Sequence, residues 1–269
     1  MDGNVLLAFS LTLLAGLATG IGSALAFFTS RTNTKFLAWA LGFSAGVMIY
    51  VSMIEIFVKA KDALVLEHGD KTGYWLTVIG FFGGIVVIAI IDKFIPSAEN
   101  PHETKTVEEF HREPERDEYE KLRKMGVFTA IAIAIHNFPE GIATFASALQ
   151  DPSLGIAIAA AVAIHNIPEG IAVAVPLYFA TGNRKKAFKW SFLSGLSEPV
   201  GALVAWLILM PYLTDTMFGM IFAGVAGIMV FISLDELLPA AQKYDQTHLA
   251  IYGVVSGMAV MALSLLLFL

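Results

Sequence analysis

The chain contains no cysteine, which excludes disulfides, thiolate metal sites and cysteine nucleophiles. Charge is scarce too: 15% of the 269 residues are Asp, Glu, Lys or Arg, where a soluble domain carries roughly a quarter. There is no Walker-type phosphate loop, so nothing points to a motor driven by nucleotide hydrolysis. There is no HExxH pair, which leaves an intramembrane metallohydrolase without its usual general base. No positive cluster precedes the first apolar run, Val5 to Phe28. That run is also too long for a signal-peptide core and reads as a retained span.

What the chain has in abundance is apolar surface: 57% hydrophobic residues and a mean hydropathy of +0.70. These residues fall into eight runs of about 20, the length that carries a helix across ~30 Å of hydrocarbon. The runs are 4–29, 36–59, 73–92, 125–148, 154–181, 188–211, 217–240 and 248–269. Helices are the default, because a β-barrel would show short alternating strands. The expected fold is a single all-α, polytopic membrane domain over 1–269. Of the 17 Lys and Arg, 14 fall in or beside the connections after spans 1, 3, 5 and 7, and three at the connection after span 2. The positive-inside rule then places the odd-numbered connections in the cytoplasm and both termini outside the cell (inner) membrane. The polar stretch 96–124 holds Pro96, Pro101, Pro114, His102 and His111. Its composition suits a disordered or loosely helical cytoplasmic linker, or a loop that gathers metal weakly.

Two internal similarities stand out. His136-Asn-Phe-Pro-Glu-Gly-Ile-Ala143 in span 4 is repeated 29 residues on as His165-Asn-Ile-Pro-Glu-Gly-Ile-Ala172 in span 5. At an offset of 181, Ala45–Phe57 of span 2 aligns with Ala226–Leu238 of span 7, with five identities. In each pair the two spans run antiparallel. The pattern predicts a 3+2+3 plan in which spans 1–3 and 6–8 form an inverted pair around spans 4 and 5, as in many secondary transporters.

The repeated octapeptide carries the chemistry. On a helix His136 and Glu140 share a face, as do His165 and Glu169. Asn137 and Asn166 stand at the edge of that face, within reach of a second ion. Pro139 and Pro168 each remove an N–H and push on the carbonyl four residues earlier, at Ile135 and Ile164. Gly141 and Gly170 let the two helices approach closely. An intramembrane carboxylate costs ~2.5–3.5 kcal/mol on insertion scales, so four facing ionisable groups call for a shared cation. Glu198, in Ser197-Glu198-Pro199 of span 6, is a further candidate ligand, or else a helix-packing residue. Met48 is either a soft thioether ligand or packing. Glu55 in span 2 and Asp235 and Glu236 in span 7 suit the two ends of a cation pathway, or cap helices at the interface. Imidazole and oxygen donors without thiolate fit zinc, ferrous iron, manganese or cobalt.

In these residues the chain resembles the ZIP (Zrt/Irt-like) family of divalent metal transporters, particularly its bacterial ZupT-type branch. The likeness covers eight spans, a long 3–4 connection, HNFPEG, HNIPEG, SEP in span 6 and SLDELLP in span 7. It implies a non-enzymatic importer with a binuclear centre. Glu140, His165 and Glu169 would hold zinc, with His136 and Met48 alongside. Asn137, Asn166 and Glu198 would join the bridging Glu140 and Glu169 in a second, iron-compatible site. It further implies broad metal specificity, motion of one bundle against another and a possible homodimer. The partners expected are divalent ions, carried as cargo rather than cofactor, and the lipid bilayer, with no nucleic acid.

Overall fold

The computed structural model describes residues 3–26, 34–93, 116–209, 214–244 and 248–267, and all regular structure among them is helical. The α-helices are α1 Gly3–Ala26, α2 Thr34–Tyr50, α3 Phe57–His68, α4 Asp70–Lys93, α5 Arg116–Gln150, α6 Pro152–Thr181, α7 Arg184–Gly195, α8 Ser197–Val204, α9 Asp215–Ile232, α10 Leu238–Tyr244 and α11 Leu249–Leu267. Three π-helical segments, Val51–Ile56, Ala205–Leu209 and Ser233–Leu237, continue α2, α8 and α9. Among the described residues, seven helical stretches are long and apolar enough to cross a membrane. The expected span at 125–148 lies within α5 and is not one of the seven.

Two boundaries differ from the sequence reading. Span 2 continues as helix well past residue 59 to His68, because nothing in Lys59–His68 breaks a helix before Gly69. Gly69 has φ 76, a conformation costly for any residue with a Cβ, and α4 begins at the next residue. The stretch 96–124 is helical from Arg116 onward, where good helix formers follow Pro114 without interruption. His102 and His111 lie outside the described residues. At the other end of α5, the Asp151 carboxylate accepts the Ser153 and Leu154 amides at 3.0 and 3.4 Å. With Pro152 at the first helical position, that cap starts α6 within a single-residue connection.

The helices pack in two groups. In one, α1 lies along α6, and α5 along α6, α7 and α8. In the other, α2 lies along α11, and α4 along α9, with α3 against α4 and α9. Large apolar side chains such as Leu14, Ile21, Trp75, Ile79, Phe82 and Leu263 point away from the protein, as lipid-facing residues do.

Glycine sets the helix spacing. A Cβ at Gly141 would collide with the Glu198 backbone on α8, and one at Gly201 with the Phe138 carbonyl on α5. The same exchange joins the other pair, with Gly170 against Thr19 on α1 and Gly22 against the Ile167 carbonyl on α6. The expected close approach at Gly141 and Gly170 is therefore present, but its partners are α8 and α1. The two repeat helices do not meet each other there, since each uses its glycine face on a flanking helix.

Adding even a methyl at these contacts forces backbone apart, an overpacking cost of about 1–3 kcal/mol. Gly170→Ala and Gly141→Ala should each lower the melting temperature in detergent by several degrees. Gly83→Ala, where a Cβ meets nothing within 4 Å, should match or exceed the parent. Thermal unfolding followed by tryptophan fluorescence checks this, and equal midpoints for all three variants would refute the packing account.

Candidate metal centre

The two copies of the octapeptide lie within long, unbroken helices, Pro139 inside α5 and Pro168 inside α6. Four-residue spacing stacks each acid one turn above its histidine position. Across the interface, His165 Nε2 lies 3.2 Å from Glu140 Oε2, with both side chains buried. This contact joins the second copy's imidazole to the first copy's carboxylate. The His136 side chain lies outside the described residues.

A second contact completes the layer. Asn166 Nδ2 donates to Glu198 Oε1 and, at 2.9 Å, to the Ala15 carbonyl on α1. Glu198 gets there because α7 stops at Gly195 and α8 restarts at Ser197, which puts the acid in the first turn of a new helix. Unsatisfied amides and the positive end of the helix dipole favour a carboxylate at that position. Pro199 fits the same turn, where a missing N–H costs nothing. With no Cβ at Gly141, the Glu198 backbone presses directly against α5, one residue beyond Glu140.

Glu169 is buried, and its charge and that of Glu140 both act on the Glu198 carboxylate. Met48 is fully buried in the apolar core. One turn before it, Ser44 donates to the His165 carbonyl at 3.4 Å, which brings α2 to the same level. Glu140, His165, Asn166 and Glu198 thus form one buried layer drawn from α5, α6 and α8, and Asn137 and Glu169, buried one turn along α5 and α6, adjoin it.

Within and beside that layer both amide atoms of Asn137, Glu140 Oε1, Asn166 Oδ1 and Glu198 Oε2 have no hydrogen-bond partner among the described residues. Buried polar atoms are normally satisfied. Here the surplus consists largely of oxygen acceptors, four carboxylate or amide oxygens against one amide nitrogen, and that is the deficit a cation fills. Among the described residues no three His, Asp or Glu side chains already converge at ligand distances. The contacts made are pairwise, His165 with Glu140 and Asn166 with Glu198.

The pathway candidates lie apart from this layer. Glu55 is half-buried in the π segment Val51–Ile56, 3.9 Å from Lys59. Asp235 is exposed and Glu236 partly buried in the π segment Ser233–Leu237. The two π segments fall at matching positions of the 181-residue offset, and π segments recur at functional sites. One participant is invisible in residue types, the Ala15 carbonyl.

Residues 92–265 match the family described as ZIP Zinc transporter. The zinc transporter ZupT of Lysinibacillus sphaericus is 74% identical over 267 residues, covering 99% of each chain. That of Oceanobacillus iheyensis is 71% identical over 266 residues, 98% of each chain. That of Streptococcus mutans is 63% identical over 268 residues and covers 100% of both. With more than half its length matched by the family and its full length by these relatives, the chain belongs to the ZIP family of transporters, in its ZupT-type branch.

Proposed function

We propose that the chain is a secondary transporter that imports divalent cations, zinc and ferrous iron first, with manganese and cobalt as further candidates. The observation that carries the reading is the buried Glu140–His165 contact beside two more buried acids, Glu169 and Glu198. Three carboxylates in an apolar interior repel one another unless protons or a cation join them. Relatives named as zinc transporters support zinc as cargo.

The centre is binuclear in this reading. Glu140 and Glu169 bridge two ions. His165, with His136 and Met48, completes the zinc side, and Asn137, Asn166 and Glu198 complete the other. The Asn166–Glu198 contact supports a second ligand cluster beside the first. Neutral amide donors keep affinity moderate, and a carrier must release what it binds.

Eight spans in a 3+2+3 inverted repeat are supported by the packing. The α1–α6 contact has its counterpart in α5 with α7 and α8, and the α2–α11 contact in α4 with α9. The paired glycine contacts repeat the same exchange. Both termini lie outside the cell in this reading, on the strength of the Lys and Arg distribution.

Purified protein in proteoliposomes should accumulate zinc without turning over any substrate. Glu140→Ala or Glu169→Ala should abolish uptake of every metal, because each removes a bridge between ions; retained iron uptake in either variant would refute the shared role. His165→Ala should depress zinc uptake far more than iron uptake, read from parallel radiotracer assays. Asn137→Asp adds charge to the second cluster and should shift the competition order among zinc, iron and manganese. An unchanged order would remove Asn137 from the site.

A further inference from the structure

We propose that Ser52, Thr144 and Ser147 line a polar path along which a divalent cation sheds water between the α5–α6 connection and the metal centre. The proposal rests on the transport reading above and adds residues to it.

On α5, residues 137, 140, 144 and 147 recur at spacings of three and four, so Asn137, Glu140, Thr144 and Ser147 share one face, and Asp151 follows just past the helix end. The first four are buried. They supply one polar group per turn over ~15 Å, from the metal-centre layer to the end of the helix.

How the hydroxyls are spent distinguishes this stripe from ordinary helix packing. Buried in apolar surroundings, a Ser or Thr normally satisfies itself on the carbonyl four residues back. Thr12, Ser23, Thr77 and Ser233 all do so here, at 2.7–2.9 Å. Thr144, Ser147 and Ser52 do not, and their hydroxyls have no partner among the described residues. Thr19 is a fourth such case, but it lies on α1 against Gly195, away from this stripe.

Ser52 has an internal control. The 181-residue offset pairs it with Ser233, and both sit in π segments, fully buried. Ser233 donates to the Met229 carbonyl at 2.7 Å; Ser52, one turn beyond Met48, makes no such bond. Equivalent residues in equivalent local structure thus differ in how the hydroxyl is spent, and Ser52 shares its unspent state with the α5 hydroxyls.

The two stripes end among charges that influence one another. Met48 ends the buried part of α2, Ser52 and Glu55 follow in its π continuation, and Asp151 follows Ser147 just past the end of α5. Asp151 and Glu55 interact electrostatically, and Lys59 acts on both. Hydrogen bonds from the Ser153 hydroxyl and the Leu154 amide hold the Asp151 carboxyl below its usual range, so it stays ionised at the mouth. A cation drawn there meets hydroxyl oxygens at successive turns before it reaches Glu140 and Asn137. Such oxygens replace water ligands singly without binding tightly.

The chain's lack of cysteine makes the test direct. Ser147→Cys, Thr144→Cys and Ser52→Cys, each in proteoliposomes, are treated with a small cationic methanethiosulfonate from either side, with and without zinc. Phe145→Cys is the reference, because Phe145 is buried in the apolar cluster with Val5 and Ala8. The path predicts labelling of the three stripe positions at least about tenfold faster than the reference, slowed by zinc. In parallel, Thr144→Val combined with Ser147→Ala should lower zinc kcat/KM about tenfold. Zinc binding to the detergent-solubilised double variant should hold, and Thr144→Ser should retain uptake. If the unsubstituted chain accumulates no zinc, the transport reading fails. If it accumulates zinc while stripe and reference label alike, or the double variant transports at the parental rate, the path alone is overturned.

Discussion

Three acids buried in the apolar interior of one helical bundle constrain everything else in this protein. Glu140, Glu169 and Glu198 cannot reach solvent, and His165 brings an imidazole to the first of them. Such a cluster persists only if the surrounding helices are held firmly enough to keep it together and something positive visits it. The glycine contacts supply the first condition. In the transport proposed above, the oxygen atoms of the same layer that have no hydrogen-bond partner among the described residues would meet the second.

The fold divides labour accordingly. α5 and α6 carry the duplicated octapeptide, while α1 and α8 clamp them from either side through backbone contacts that no side chain interrupts. The second group, built on α2, α4, α9 and α11, meets this unit through a largely apolar cluster that includes Met48, Met229, Phe222 and Val162. Ser44 on His165 is a long hydrogen bond across that boundary. Polar chemistry is concentrated in one group and smooth packing surface in the other.

Much of this was legible in the residues, for identifiable reasons. The octapeptide repeat is written in rare polar types, and four-residue spacing fixes which side chains share a face within each copy; that Glu140 of one copy meets His165 of the other depends on how α5 and α6 pack. The involvement of Glu198 could be suspected from its proline. Its proline also marks the break that delivers it, since Pro199 has no N–H for the Gly195 carbonyl at which α7 ends; the partners it then meets, Asn166 and the α5 backbone, carry no local signal. The glycines of the repeat announced close approach without naming a partner, since a missing Cβ carries no address. Helix ends were read least well: the reach of span 2 to His68 depends on Gly69, which resembles any other glycine until its φ is known. The π segments have no sequence signature at all, although the 181-residue similarity marks where both occur.

The interlocked glycines have a mechanical corollary. With α5 seated on α8 and α6 on α1 at bare-backbone distance, these four helices have no slack to spread or twist separately. Any rearrangement that turns the acids from one face of the bilayer to the other has to carry them as a single block, sliding over alanine- and valine-rich neighbours. The donors would then keep their mutual spacing throughout the stroke, and the ion's surroundings would change because the water outside the block changes.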